Sequence, residues 1–272
     1  MKLALLGRHE SLYTRMMLVE FRKAGLSFEC ILLEKGKLPA TTGQGAAFRN
    51  AIRLLTVMSS GALQSLPIWH WYYWRRLTQL LLSRRSTRGK ELFCEYTEPS
   101  FDSLISGVAP IMVADVNDAR GYLALKEAAV DVGVLGGVGI VSNPILSTFR
   151  QYCLNAHPGP LPECRGSGAI EQALSRGLVP MVSVHFVEKQ IDAGRILDRL
   201  PVTIESKDDF YSLDQKLSVL SAQAMARVVS RLARSEVWPH LENSGPLHRW
   251  RDCTLAIHQK AERQLRTMRR SV

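Results

Sequence analysis

Apolar positions open the chain as a short run, Leu3 to Leu6, bounded by Lys2 and by Gly7-Arg8; the run predicts a strand from Lys2 to Leu6 with a turn at Gly7. Leu12, Met16 and Val19 then recur at spacings of three and four, which predicts a helix on one apolar face with Gly25 as its terminator. Phe28 to Leu33 is apolar enough for a second buried strand. Strand, helix and strand in this order form a right-handed βαβ unit, the opening of a doubly wound, mostly parallel α/β sheet.

The rhythm breaks over residues 35–90, which reads as an insertion, and resumes with a strand at Ile111 to Val116, a helix from Asp118 to Ala129 and a strand at Val132 to Leu135. Tyr152 to Ala156 predicts another strand, Gly168 to Arg176 a helix stopped by Gly177, Val182 to Val187 a strand, and Gly194 to Ile204 an extended pair around Pro201. From Ser206 the pattern changes. Ser206 and Asp209 have the spacing of a capping box, and Phe210, Leu213, Leu217, Leu220, Ala224, Val228 and Leu232 mark a long amphipathic helix. Trp238 to Arg251 reads as a loop and Leu255 to Arg270 as a final basic helix. The expected organisation is therefore a sheet-based domain over 1–205, with the insertion at about 35–90, followed by a helical C-terminal extension over 206–272.

Composition adds little until the charge is located. The 272 residues are 46% hydrophobic and 22% charged, with a net charge of +10. Lys35, Lys37, Arg49, Arg53, Arg75, Arg76, Arg84, Arg85, Arg88 and Lys90 fall in a segment without an acid, and setting them aside leaves 25 basic residues against 25 acidic. The whole surplus belongs to one segment. Trp69, Trp71, Tyr72, Tyr73 and Trp74 lie within it. Rings beside cations suit an anionic membrane surface, a nucleic acid, or a nucleotide phosphate on a substrate; a helical hairpin packed on the core or on a second copy in a homo-oligomer accounts for them equally. The uncharged run 54–74 has membrane-spanning length but contains Ser59, Ser60, Gln64, Pro67 and His70. Five scattered cysteines, none in a CxxC pair, argue against a disulfide framework or a metal site, and no export signal precedes the first strand. A cytoplasmic protein, with membrane association left open by the basic segment, is the expectation.

The chemistry lies between Asn155 and Asp192. Asn155 and His157 are two apart at a strand end, so both side chains share one face. An amide beside an imidazole is what acyl or formyl transfer to an amine requires, one group donating to a developing oxyanion and the other donating or moving a proton. Asp192, in a turn before Ala193-Gly194, is placed to approach the imidazole and raise its pKa by proximity of charge. Gly136, Gly137 and Gly139 follow a strand without dinucleotide-fingerprint spacing, and are read as letting a flat ligand approach the backbone. His185, inside a strand, reads as structural, and Glu163 and Cys164 have no partner a nucleophile would need. The cationic run from Lys260 to Arg270 reads as a solvated helix face.

Asn155-x-His157, Pro158 to Pro162, Arg165-Gly166, Asp192 to Gly194 and the stretch from Asp131 to Leu146 together resemble the catalytic domain of the folate-dependent formyltransferases, over roughly 110–205 and more loosely 1–34. The resemblance implies a Rossmann-like fold and an enzyme that moves a formyl group from N10-formyltetrahydrofolate to an amine. It implies a catalytic trio of Asn155, His157 and Asp192: His157 polarising or protonating the formyl oxygen, Asn155 stabilising the tetrahedral intermediate, Asp192 holding the imidazole charged and moving the amine proton. The pterin pocket would be lined by Gly137, Val138, Gly139, Ile140, Val141, Val187 and Ile191, with no metal.

Departures narrow the branch. The turn G-R-H-E-S-L-Y after the first strand is unlike the phosphate loop of glycinamide ribonucleotide formyltransferases, and the segment after 205 is shorter and more helical than the C-terminal barrel of methionyl-tRNA formyltransferases. A hydrolase of the family would need a regulatory domain ahead of the first strand. The expectation that remains is transfer to a small amine, such as an amino sugar on a nucleotide. A methionyl-tRNA-type enzyme without the barrel and a non-catalytic nucleic-acid or membrane-binding module on the same scaffold are the alternatives.

Overall fold

Alternation along each strand divides the sheet into two apolar faces. In the first strand, β1 (Leu3–Arg8), Leu3 and Leu5 face one core cluster while Ala4 and Leu6 face another; in β2 (Cys30–Glu34), Ile31 and Leu33 go with the first and Cys30 and Leu32 with the second. A computed structural model describes residues 1–35, 93–105, 107–236, 240–249 and 252–271. The sheet continues with β3 (Ile111–Val113), β4 (Val132–Gly136), β5 (Tyr152–His157), β7 (Met181–Phe186) and β8 (Ile196–Pro201), in the order β3-β2-β1-β4-β5-β7-β8. The first five strands are parallel, and β7 and β8 are antiparallel to their neighbours. A short β6 (Arg165–Gly166) pairs separately with β9 (Leu247–His248).

Helix α1 (Leu12–Lys23) packs on the first face, where Phe21 stacks on Phe28 with ring centroids 4.7 Å apart. The short helix α2 (Phe101–Leu104) joins the same cluster, whereas α3 (Ala119–Ala128) and α4 (Asn143–Leu146) cover the opposite face. After α5 (Ala169–Ser175) and the β7–β8 hairpin, α6 (Phe210–Ala233) returns to the first face, burying Leu213, Leu217, Met225 and Val228. The last helix, α7 (Leu255–Arg270), packs against α5. The sheet with flanking helices and a helical C-terminal extension is the Rossmann-like arrangement expected of the sequence.

Local differences have local causes. Gly7 lies inside β1 and pairs with Leu33 and Gly136; a Cβ there would stand 2.8 Å from Thr14, so glycine serves the close approach of α1 and not a turn. The second strand starts at Cys30, and Phe28 ahead of it stacks on Phe21. β3 ends at Val113, beyond which the Val116 amide donates to the Glu34 carboxylate. The box at the head of α6 is formed by Asp209 and Ser212, not Ser206 and Asp209. The buried Asp208 carboxylate takes Lys216 and the Glu205 amide and closes a turn just ahead of it. The expected loop from Trp238 to Arg251 contains β9 and a bridge from Leu241 to Ile196. The insertion at 35–90, its aromatic cluster and the uncharged run 54–74 lie outside the described residues apart from Lys35. Among the described residues no helix is long and apolar enough to cross a membrane.

Candidate functional site

The C-terminal half of β5 carries polar groups where the rest of its face is apolar. Cys153 joins the second core cluster, but Asn155 and His157, on the same side of the strand, replace apolar residues with an amide and an imidazole. On the neighbouring β7, His185 pairs with Asn155 and Ser183 with His157, so four polar side chains form two cross-strand pairs on one face. Ser183 accepts from the Leu161 amide at 3.1 Å and donates to the Gly159 carbonyl at 2.8 Å, fixing the turn that follows His157.

Asp192 reaches this patch from the loop between β7 and β8, as its place in the sequence predicts. One carboxylate oxygen, Oδ2, lies 3.3 Å from Nδ1 of His157 and accepts from the Gly166 amide at 3.1 Å. The other, Oδ1, lies 3.5 Å from both Nδ2 of Asn155 and Nε2 of His185. Nδ2 of Asn155 is also 3.3 Å from Nε2 of His185. The predicted trio therefore meets around one carboxylate, and His185 is a fourth member. In sequence His185 reads as structural inside its strand, although S-V-H-F-V around it also resembles a family position; Ser183-x-His185 in an otherwise apolar strand places both polar groups on the Asn155 side.

Hydrogen bonding fixes the imidazole tautomers. Nε2 of His157 lies 2.8 Å from the Cys164 carbonyl, an acceptor only, so this nitrogen carries a hydrogen and Nδ1 is the atom that titrates. Nδ1 of His185 likewise donates to the Phe186 carbonyl at 2.7 Å. Burial pushes His157 below the usual histidine range; the Asp192 charge and the Cys164 carbonyl oppose this, and His185 adds to it. Asp192 raises the His157 pKa, as its place in the sequence predicts, but it does not hold the imidazole charged: His157 is 5% exposed, and burial outweighs the carboxylate. Burial also pushes Asp192 upward, yet the nearby His185 and His157 rings and the Gly166 amide together hold it below the usual carboxylate range. Nδ1 of His157 and Oδ2 of Asp192, 3.3 Å apart, thus frame a single position for a shared proton.

Residues expected to line a ring-binding pocket divide into two groups. Val134 pairs with Leu154, and continuing that register puts Gly137 at the level of His157. Gly137 has φ of 86°, with Tyr13 packed beneath it, and Gly139 and Ile140 are exposed, Ile140 by 72%. The loop is tied down by Asn117, which donates to the Ile140 carbonyl and accepts from the Ser142 amide. Ile191, beside Asp192, is 44% exposed. Glycine backbone and exposed apolar side chains at this edge fit the face and rim of a flat ring. Val141, in contrast, is buried in the second cluster, and Val138 and Val187 pack against it, so these three offer backbone more than side chain. Val187 also lines a separate cavity of about 180 Å³ with Tyr152, Phe186 and Arg195, toward the start of β5 and away from His157.

Residues 115–229 match the family model described as formyl transferase. In sequence the chain is 27% identical over 159 residues to the methionyl-tRNA formyltransferase of Bacillus mycoides, covering 58% of this chain and 48% of that protein. The chain spans about half the length of the curated relatives it matches. Its structure is similar to a 4-N formyltransferase from Francisella tularensis, with a TM-score of 0.52 at 11% identity over 97% of this chain and 87% of that one. It is also similar to glycinamide ribonucleotide transformylase 1 from Symbiobacterium toebii, with a TM-score of 0.52 at 18% identity over 86% and 88%. At these identities the structures share the fold.

Proposed function

We propose, from the match of residues 115–229 to the formyl transferase family model and from the site geometry, that the protein is an N-formyltransferase that moves a formyl group from N10-formyltetrahydrofolate to a primary amine of a small substrate. The observation that carries this reading is the meeting of Asn155, His157 and Asp192 around a single carboxylate. The donor, when bound, supplies an activated formyl carbon. The edge formed by Gly137, Gly139, Ile140 and Ile191 is where its ring would lie.

The chain's own groups then have distinct tasks. Asn155 is the half-buried member of the cluster, and an N–H of its amide, held at rest by long contacts of 3.5 Å to Asp192 and 3.3 Å to His185, turns to the formyl oxygen as negative charge develops there. The attacking amine must lose a proton. Asp192 is more exposed than His157 (side chains 14% against 6%) and faces the incoming amine, while Nδ1 of His157 is the bare position on which the proton comes to rest. The resulting imidazolium is stabilised by the carboxylate at 3.3 Å. His157 thus acts as the proton-accepting partner of Asp192, in place of the polarising role first expected, because its Nε2 hydrogen is committed to Cys164.

For the acceptor, we favour an amino sugar carried on a nucleotide. What supports this reading is the helical character of the described chain after β8, with α6 on the sheet and α7 on α5. The similarity to methionyl-tRNA formyltransferases supports a second reading, transfer to an aminoacyl-tRNA. The test is tetrahydrofolate release from N10-formyltetrahydrofolate with nucleotide-linked amino sugars, methionyl-tRNA and glycinamide ribonucleotide in parallel, repeated with His157→Ala and Asp192→Ala. No turnover with any amine, or unchanged turnover in His157→Ala, defeats the catalytic reading. Turnover confined to methionyl-tRNA replaces the first acceptor by the second.

A further inference from the structure

Asp192 adopts φ of 46°, a left-handed conformation uncommon for residues with a Cβ, though aspartate enters it more readily than most. What holds it comes from a distant part of the chain. The Asn243 amide donates through Nδ2 to the Asp192 carbonyl at 2.7 Å and to the Gly194 carbonyl at 3.0 Å, spanning the turn from both sides of Ala193. Asn243 is 8% exposed, and its Oδ1 is buried with no hydrogen-bond partner. Two carbonyls can be met only by the N–H₂ end of the amide, so the side chain forgoes a partner on its acceptor end to keep both donors on the turn.

The segment that carries Asn243 is anchored along its length. Leu241 and Ile196 exchange backbone bonds of 2.9 and 3.0 Å, and Leu247–His248 pair with Arg165–Gly166. Between these anchors Gly245 lies so close to Pro162 that a Cβ would stand 1.5 Å from its carbonyl oxygen. Arg165, 8% exposed, donates from Nη1 to the Gly245 carbonyl at 2.8 Å and from Nη2 to the Ile191 carbonyl at 2.9 Å, joining this strap to the residue before Asp192. The Gly166 amide completes the arrangement on Oδ2 of Asp192.

We propose that Asn243 is a positioning residue of the site: through its two bonds to the 192–194 turn it aims the Asp192 carboxylate at Nδ1 of His157. The role rests on the formyl-transfer reading above for its consequence, and it is assigned to a residue outside the 115–229 family match. Nothing in Asn243 touches the reacting atoms; it acts through Asp192 alone.

The test uses the full chain with isotope-labelled histidine, following the His157 ring by NMR across pH, alongside tetrahydrofolate release with hydroxylamine as the amine. Asn243→Ala is expected to move the His157 titration to lower pH, since the carboxylate favouring the charged ring has turned away. It is also expected to reduce kcat by about tenfold or more while KM for the donor changes by less than about twofold. Asn243→Leu, which keeps the volume and removes the donors, is expected to do the same. Titration of His157 unchanged in both variants overturns the proposal, and so does a failure of both to fold, which makes Asn243 a structural clamp. A shifted titration with no formyl transfer in the unmodified protein upholds the positioning role and overturns only the catalytic reading.

Discussion

Nδ1 of His157 lies 3.3 Å from Oδ2 of Asp192, while the opposite ring nitrogen is already bound to the Cys164 carbonyl. A proton joins or leaves this imidazole only at the atom that faces the carboxylate. The pair behaves as one acceptor, with burial favouring the neutral ring and Asp192 favouring the charged one.

Asp192→Asn keeps the shape of the turn and removes the charge. Formyl transfer, followed as tetrahydrofolate release, should fall by about 10²- to 10⁴-fold. His157 should titrate at lower pH than in the unmodified protein, because the attraction that opposes desolvation is gone. A loss smaller than about threefold removes Asp192 from the proton path.

Asn155 faces the opposite requirement, since it must give a hydrogen to the formyl oxygen. Asn155→Ala should lower kcat by about 10²- to 10³-fold, the range for losing one oxyanion donor, with little change in KM. A matching rise in KM with kcat preserved would place Asn155 in ground-state binding.

Stability should fall on the acid side in two windows. His157 and His248 have native pKa values below the ordinary 6.5, so the unfolded chain takes up protons before the native one does. Their contribution is complete above the unfolded value and is lost as the pH falls through the native values. Asp192 and Asp208, lowered from 3.8, contribute above that value and lose their contribution as the pH falls through their native values. Melting temperatures measured from pH 8 to pH 3 should therefore decline first below about 6.5 and again below about 3.8. His157→Gln should flatten the first decline; an equal slope in that variant assigns the window to other groups.

Gly194 is a steric test of the same turn. A Cβ at this position would lie 1.9 Å from the Phe186 carbonyl oxygen, a backbone atom that cannot swing aside. Gly194→Ala should cost about 1–3 kcal/mol of stability by urea denaturation and lower formyl transfer by more than the stability loss explains. Transfer at the original rate would show that the Asp192 turn tolerates displacement.

Elements with a strong repeating pattern were legible from the sequence. The heptad-like spacing from Phe210 to Leu232 lies within α6, and Leu255 to Arg270 matches α7, because each apolar stripe has one face to bury. Boundaries were less legible where a tertiary contact sets them. Gly7 reads as a turn until Thr14 is seen packed against it, and Ser206 reads as a cap until Asp208 is seen closing the turn ahead of Asp209. In the site, spacing alone put Asn155 and His157 on one face of a strand. The role of His185, a position with a family resemblance, was not legible because its relation to Asn155 is a matter of register between strands, which no linear spacing records.

By itself the sequence determined the alternating strands, the amphipathic helices and the three residue types suited to formyl transfer, since periodicity and side-chain chemistry are local properties. It also confined the +10 charge to Lys35–Lys90, a segment separate from those three residues. Only the tertiary structure decided the protonation of the site and what surrounds it. The pKa of His157 depends on how much water is excluded around it, and the left-handed turn of Asp192 depends on Asn243, a residue brought to it by the pairing of Leu241 with Ile196 and of β9 with β6. Burial and long-range hydrogen bonds exist only once the chain has closed on itself.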